Sequence, residues 1–166
     1  MDPQAREKGK CSLAAEALRS SGRLQLRATG VSMLPTLWPG DLLTVESHPR
    51  EQVVPGEIVL YMRQGRFFIH RIVGRKLTGD EAVLVTRGDC MSEDDSPVRS
   101  SEVLGKVTEI WRSGSAFPPA RTVSPVCRIL AWLFCHCSLF RQVGLRCWQY
   151  RYLNDCPSRA TLAGAA

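Results

Sequence analysis

Glu57-Ile58-Val59-Leu60-Tyr61-Met62 and Arg66-Phe67-Phe68-Ile69-His70-Arg71-Ile72-Val73 are two apolar runs separated by Arg63-Gln64-Gly65. Both are short, rich in β-branched and aromatic residues, and bounded by glycine-bearing turn signals, as strands are. Gln64-Gly65 reads as a tight hairpin turn, because glycine supplies the positive φ that such turns require. The same pattern continues on either side. Arg23-Leu24-Gln25-Leu26-Arg27-Ala28 alternates as a half-buried strand does, and Leu42–Val45, Glu81–Thr86 and Val103–Trp111 are further strand candidates. Trp38-Pro39-Gly40-Asp41, Val54-Pro55-Gly56, Thr78-Gly79-Asp80 and Gly88-Asp89 punctuate them. Short strands at this spacing predict a mainly β fold: a compact antiparallel β-domain over residues 23–112.

The flanks differ in kind. Residues 1–22 are expected to form a disordered arm, over 1–11, and a short helix. Ser12 would cap that helix, Leu13, Ala14 and Leu18 would form its apolar positions, and Gly22 would stop it. Residues 113–123, opening with Ser113-Gly114-Ser115-Ala116-Phe117-Pro118-Pro119, have the composition of a linker. Ser124-Pro125 then starts a helical tail over 124–166, with serine as N-cap and proline at the first helical position. Its charge-free run, Ile129–Phe140, would span only about 18 Å as a helix, against roughly 30 Å of bilayer core. Arginines and Trp132, Trp148, Tyr150 and Tyr152 around that run leave two readings for residues 124–153. One is an interfacial helix on a membrane surface. The other is an amphipathic helix packed on the β-domain or in a dimer interface.

Composition narrows the class. With 166 residues, 44% apolar and 23% charged, the chain is long enough for one domain with a real core. Of the net charge of +6, all but one unit lies from residue 121 onward, where six arginines face a single acid, Asp155. No nucleic-acid-binding module accompanies that charge, so nucleic acid is not an expected partner. Seven cysteines, five of them in the tail, form no even framework and read as free thiols. The start, Met-Asp-Pro-Gln-Ala-Arg-Glu-Lys, is polar, and the expectation is a chain with no N-terminal signal peptide or anchor. The compartment stays open between cytoplasmic and peripherally membrane-associated.

Three segments carry chemistry. Gly30-Val31-Ser32-Met33-Leu34-Pro35-Thr36-Leu37, followed by Gly40-Asp41, presents a serine on a turn stiffened by proline. Phe67-Phe68-Ile69-His70-Arg71-Ile72-Val73-Gly74 puts one imidazole in an apolar strand. Thr86-Arg87-Gly88-Asp89-Cys90-Met91-Ser92-Glu93-Asp94-Asp95 ends in an acidic cluster. Alone, each has an ordinary reading: a turn, a packed histidine, a solvated acidic loop. Together they supply a nucleophile, a base and an acid. Lys76 and Lys106 offer an alternative base, and Cys135-His136-Cys137 a metal reading. The latter fails on direction, because consecutive helical residues point apart and cannot converge on one ion. No metal or cofactor is expected.

In this order the three segments resemble the type I signal peptidase family, related to LexA-like self-cleaving repressors, and within it the endoplasmic-reticulum and archaeal branch. His70-Arg71-Ile72-Val73 matches that branch's histidine motif, where the bacterial branch has lysine. Gly88-Asp89 through Asp94-Asp95 keeps the spacing of its Gly-Asp-Asn-Asn-x-x-Asp-Asp motif, with Cys90 and Met91 in place of the two asparagines. The resemblance spans residues 24–111 and implies a serine endopeptidase that cuts one specific bond in a protein or propeptide, after small residues, as in signal-peptide processing. Ser32 would be the nucleophile and His70 the general base. Asp95 is the first choice for the acid that orients His70, with Asp89 supporting it or taking that role. An extended substrate would pair with a strand edge near the serine. Two further readings are a catalytically silent peptide-binding module of the same fold and a membrane-surface adaptor acting through the basic tail.

Overall fold

A computed structural model of the chain describes residues 3–48, 53–78 and 81–155. Helix α1 (Pro3–Ser21) leads into strands β1 (Arg23–Arg27), β2 (Leu42–Glu46), β3 (Ile58–Arg63), β4 (Arg66–Thr78), β5 (Glu81–Arg87), β6 (Val98–Arg99), β7 (Val103–Arg112) and β8 (Ser115–Phe117). Helices α2 (Pro125–His136) and α3 (Ser138–Asp155) follow. The strands form one antiparallel sheet in the order β1-β2-β7-β3-β4-β5-β6, with β8 added beside β7.

The central hairpin shows why these residues are strands. Gln64 and Gly65 both take positive φ (53° and 75°), the two-residue turn whose twist matches antiparallel strands. Along β3 the side chains alternate between two cores. Ile58 and Leu60 pack with Leu43, Val45, Val107 and Ile110, while Val59 and Tyr61 pack with Ile72, Leu84 and Val98. Both faces are therefore covered, which is why this run is continuously apolar rather than alternating. On β1 only the leucines turn inward, as its alternation requires.

Several elements differ from the sequence expectation. Helix α1 begins at Pro3, not Ser12, because Gln4 to Lys8 are good helix formers and proline is tolerated in a first helical turn. Its buried contacts come from Ala15 and Leu18, whereas Leu13 is exposed. Strand β4 does not stop at Gly74 but continues to Thr78, with a register shift between Ile72 and Gly74 where glycine tolerates the bulge. The segment expected as a linker is in its first part a hairpin. Ser113 and Gly114 both adopt positive φ, and Ser115–Phe117 return along β7. The turn signal Thr78-Gly79-Asp80 falls partly outside the described residues.

The tail packs on the β-domain. Ser124 caps α2 by accepting a bond from the Cys127 N–H (3.2 Å), with Pro125 in the first turn, as the sequence predicts. Phe134 is buried against Leu34 and Cys90, and Trp148 of α3 stacks on Trp38 at 4.8 Å while donating to the Pro39 carbonyl (2.8 Å). The outer face leaves Val126, Ile129, Trp132, Leu139, Val143 and Tyr150 exposed. Among the described residues no single helix is long and apolar enough to cross a membrane; α2 and α3 bend against each other by 112°.

Candidate functional site

The loop between β1 and β2 is closed at its neck by the Ala28 N–H on the Asp41 carbonyl and the Gly40 N–H on the Ala28 carbonyl, both 2.8 Å. Inside, Asp41 accepts the Trp38 N–H (2.8 Å) and a two-pronged contact from Arg112 (2.9 and 2.6 Å), whose Nη2 also holds the Thr36 carbonyl. These bonds fix the turn on which Ser32 sits, half-buried, with Met33 and Leu34 pointing into the core. The Leu34–Pro35 peptide is cis.

From the facing strand, His70 points its ring at that serine. The Ser32 hydroxyl lies 3.0 Å from His70 Nε2, and the other ring nitrogen, Nδ1, lies 2.5 Å from Asp95 Oδ2. Residues 38 and 25 positions apart in sequence thus meet in one chain of hydrogen bonds. The same Asp95 oxygen accepts Thr86 Oγ1 (2.7 Å) and Tyr61 Oη (3.2 Å). Burial, reinforced by the Asp95 charge, pushes the Tyr61 phenol up to about 12, so it stays a neutral donor.

Asp89 does not touch the imidazole. It takes a two-pronged contact from Arg71 (Nε to Oδ1 2.8 Å, Nη2 to Oδ2 2.7 Å) and the Thr36 hydroxyl at 2.5 Å. Arg71 spends its remaining nitrogen on the carbonyls of Gly56 and Ala120. Both members of the pair are over 90% buried. The network ties the serine turn, through Thr36, to the strand carrying His70, through Arg71. Behind it the chain cannot back away. A Cβ on Gly88 would stand 2.6 Å from the Ser32 carbonyl oxygen, and that oxygen accepts the Cys90 N–H at 2.8 Å.

Sequence reasoning assigned no role to Thr36, Arg71, Tyr61 or Thr86. Thr36, Arg71 and Thr86 lie inside the three quoted segments, so their motif positions were the available signal; Tyr61 had none beyond being a lone hydroxyl in an apolar strand. The alternative bases are elsewhere. Lys106 pairs with Glu57 at 3.2 Å, and Lys76 is exposed on β4. Cys90 stands in place of the first asparagine where the tail covers the turn, whereas Met91, in place of the second, is exposed. Cys90 is buried with Leu34 and Phe134, and burial pushes its thiol up, leaving it a protonated packing group. His136 donates Nδ1–H to the Trp132 carbonyl and stacks on the Trp132 ring.

The loop bearing Asp95 is pinned from outside. Arg63 donates to both carboxylate oxygens of Glu102 (2.8 and 2.9 Å) and to the carbonyls of Ser96 and Pro97. The Arg63 hydrogen bonds hold the Glu102 carboxyl below the usual range against the opposing effect of burial. At Glu57 burial raises the carboxyl, but the Val54 N–H, Lys106 and Arg121 outweigh it and the net direction is also down. A carboxyl lowered in the folded state adds stability above its unfolded value, about 4.3, and loses it as pH falls through the folded one. Melting temperature should therefore fall between about pH 5 and pH 3, and fall less in Glu102→Gln. Equal slopes for the two proteins would remove Glu102 from the acid sensitivity.

A cleft of about 730 Å³ opens beside Ser32 and His70. Leu26, Ala28, Met33, Leu37, Phe67 and Ile69 line it, and Gly30 faces it with no atom within 4 Å of where a side chain would start. Two strand edges border it. β1 pairs only with β2, and residues 66–70 of β4 pair only with β3, because the β5 partners begin at Arg71.

The model of a family described as Peptidase S24-like matches residues 2–108. The chain is 38% identical over 92 residues to the signal peptidase complex catalytic subunit SEC11 of Metarhizium acridum, covering 52% of this chain and 54% of that one. It is 32% identical over 92 residues to SEC11 of Scheffersomyces stipitis (53% and 55%), and 37% identical over 68 residues to SEC11 of Metarhizium robertsii (39% and 40%). The chain thus spans about half or less of the length of these relatives.

Proposed function

We propose, for a chain that belongs to the Peptidase S24-like family, a serine endopeptidase that opens one specific peptide bond in a protein or propeptide. The observation that carries this reading is the bonded chain Ser32–His70–Asp95 at the mouth of a cleft.

Ser32 Oγ attacks the scissile carbonyl carbon while His70 Nε2 takes its proton. Asp95 fixes the tautomer with hydrogen on Nδ1 and stabilises the imidazolium that forms; Tyr61 and Thr86 hold the carboxylate in place. The tetrahedral intermediate collapses as Nε2 returns that proton to the leaving amine. An acyl-enzyme remains on Ser32, and water, deprotonated by the same imidazole, releases it. The backbone N–H of Ser32 is the proposed donor to the oxyanion. Asp89 acts at one remove, holding the serine turn and the histidine strand in register.

The substrate enters as an extended strand between the free edges of β1 and residues 66–70, where backbone hydrogen bonds give affinity and the apolar cleft accepts side chains. A cut after small residues is what the resemblance to the signal peptidase family implies. The relatives named above are subunits of a signal peptidase complex, which makes an exported preprotein and partner subunits natural candidates here. The exposed apolar and arginine-bearing outer face of α2 and α3 suits contact with a membrane surface.

Incubating the protein with a proteome extract and identifying new N-termini by mass spectrometry tests the reading. The expected result is one dominant sequence context at the cut sites. The absence of any new N-terminus relative to the Ser32→Ala protein would favour a silent peptide-binding module.

A further inference from the structure

The cleft is uneven in charge. Three cations, Lys8, Arg27 and Arg66, line it with no carboxylate among the lining residues. Arg27 gives Nη1 to the Gly40 carbonyl at 2.7 Å. Lys8 and Arg66 are different: both are exposed, and no ion pair or side-chain hydrogen bond ties either to the described residues.

Their placement is set by the hairpin. Gly65 leaves room for the stem of Lys8, whose Cγ would lie 2.7 Å from a side chain starting there, so α1 brings its lysine onto the turn that Arg66 closes. The two edges bordering the cleft run the same way. β1 leads through Ala28 and Gly30 to Ser32, and β4 leads from Arg66 to His70. The chemistry is at one end and the two cations are at the other. Four residue steps along the strand lead from Arg66 to His70, about 13 Å at the rise of an extended chain. A substrate strand lying between these edges places one of its own side chains beside Lys8 and Arg66 when its scissile bond is at Ser32.

We propose that Lys8 and Arg66 form a subsite for an acidic side chain about four residues from the scissile bond, selecting peptides with an apolar segment next to the cut and a carboxylate beyond it. The inference rests on the endopeptidase reading for its register, but its test does not depend on cleavage.

The test uses the Ser32→Ala protein and fluorescein-labelled twelve-residue peptides of alanine and valine. Each carries one Glu, Gln or Lys, scanned through every position, and binding is read by anisotropy. Glu is expected to bind about fivefold more tightly than Gln at one position only, with Lys weaker than either, and the difference should shrink as salt rises. In Lys8→Glu/Arg66→Glu the order should reverse, with Lys preferred at that same position. The proposal is overturned by a flat scan, by binding of no peptide, or by a charge-reversed protein that keeps the Glu preference. It is overturned equally if reversal changes only sedimentation with phosphatidylserine vesicles, since the cations would then read lipid headgroups. A positional Glu preference in a protein whose Ser32 form cuts nothing supports the subsite and removes the peptidase.

Discussion

Ser32→Ala is expected to abolish cleavage while leaving the fold unchanged. Removing the nucleophile of a serine, histidine and aspartate unit costs on the order of 10⁶ in kcat, and the residual rate belongs to binding and oxyanion stabilisation. The structural cost is small. Among the described residues the hydroxyl has one partner, His70 Nε2 at 3.0 Å, and an ordinary hydrogen bond is worth about 1 kcal/mol net. The contacts that hold the turn use the backbone of residue 32, whose carbonyl still accepts the Cys90 N–H. Melting temperature should stay within a few degrees. His70→Ala should lose a comparable factor, and the double variant little more, because groups that act as one unit are not additive. The checks are single-substrate kinetics on a peptide bearing the dominant cut site, and thermal unfolding. A Ser32→Ala protein that still cut at more than about one per cent of the parent rate would take the serine out of the mechanism.

Much of the β-domain was legible because its strands are long and both of its cores are fed by alternation. β3 and the first half of β4 could hardly have been read otherwise, with Gln64-Gly65 between them. What escaped was local structure decided by distant contacts. β6 has two residues and β8 three, too few to show a period, and each exists only because a longer neighbour offers it an edge. The continuation of β4 past Gly74 depends on β5, not on the residues of β4 itself. The tail's two readings were left open by composition, and the buried side of Phe134 and Trp148 answers one of them, since that face is packed on the serine turn.

The site was legible in the same uneven way. Ordered motifs marked Ser32, His70, Asp89 and Asp95 as candidates, but spacing cannot say which carboxylate faces the imidazole. That is fixed by how the 88–97 loop turns after β5. Gly88 lets it press against Ser32, Asp89 drops into the Arg71 fork, and the chain returns so that the Asp95 N–H meets the Thr86 carbonyl at 2.8 Å. Arg63 then clamps the two carbonyls that follow. Cys90 departed from a polar pattern for a reason outside the loop, the helix that covers it; the exposed Met91 has no such cover.

The two carboxylates should therefore fail in opposite ways. Asp95→Asn keeps the shape but offers an amide to Nδ1. An amide N–H there favours the tautomer with hydrogen on Nε2, which cannot take the serine proton, and the expected loss in kcat is about 10⁴ with little change in stability. Asp89→Asn keeps the imidazole's partner and instead leaves the Arg71 guanidinium, itself buried, without a counter-charge. Breaking one side of such a pair costs about 3–5 kcal/mol, which should lower the melting temperature by roughly 10 °C or more. The folded fraction should retain more of its kcat than Asp95→Asn does. Replacing both partners, Arg71→Met with Asp89→Leu, should recover stability that Asp89→Asn loses, because no unpaired charge remains buried. Unfolding curves and active-site-normalised kinetics separate the two cases. If Asp89→Asn proved as stable as the parent yet 10⁴ slower, with Asp95→Asn close to the parent rate, the orienting acid would be Asp89 and the bond between His70 and Asp95 would be incidental.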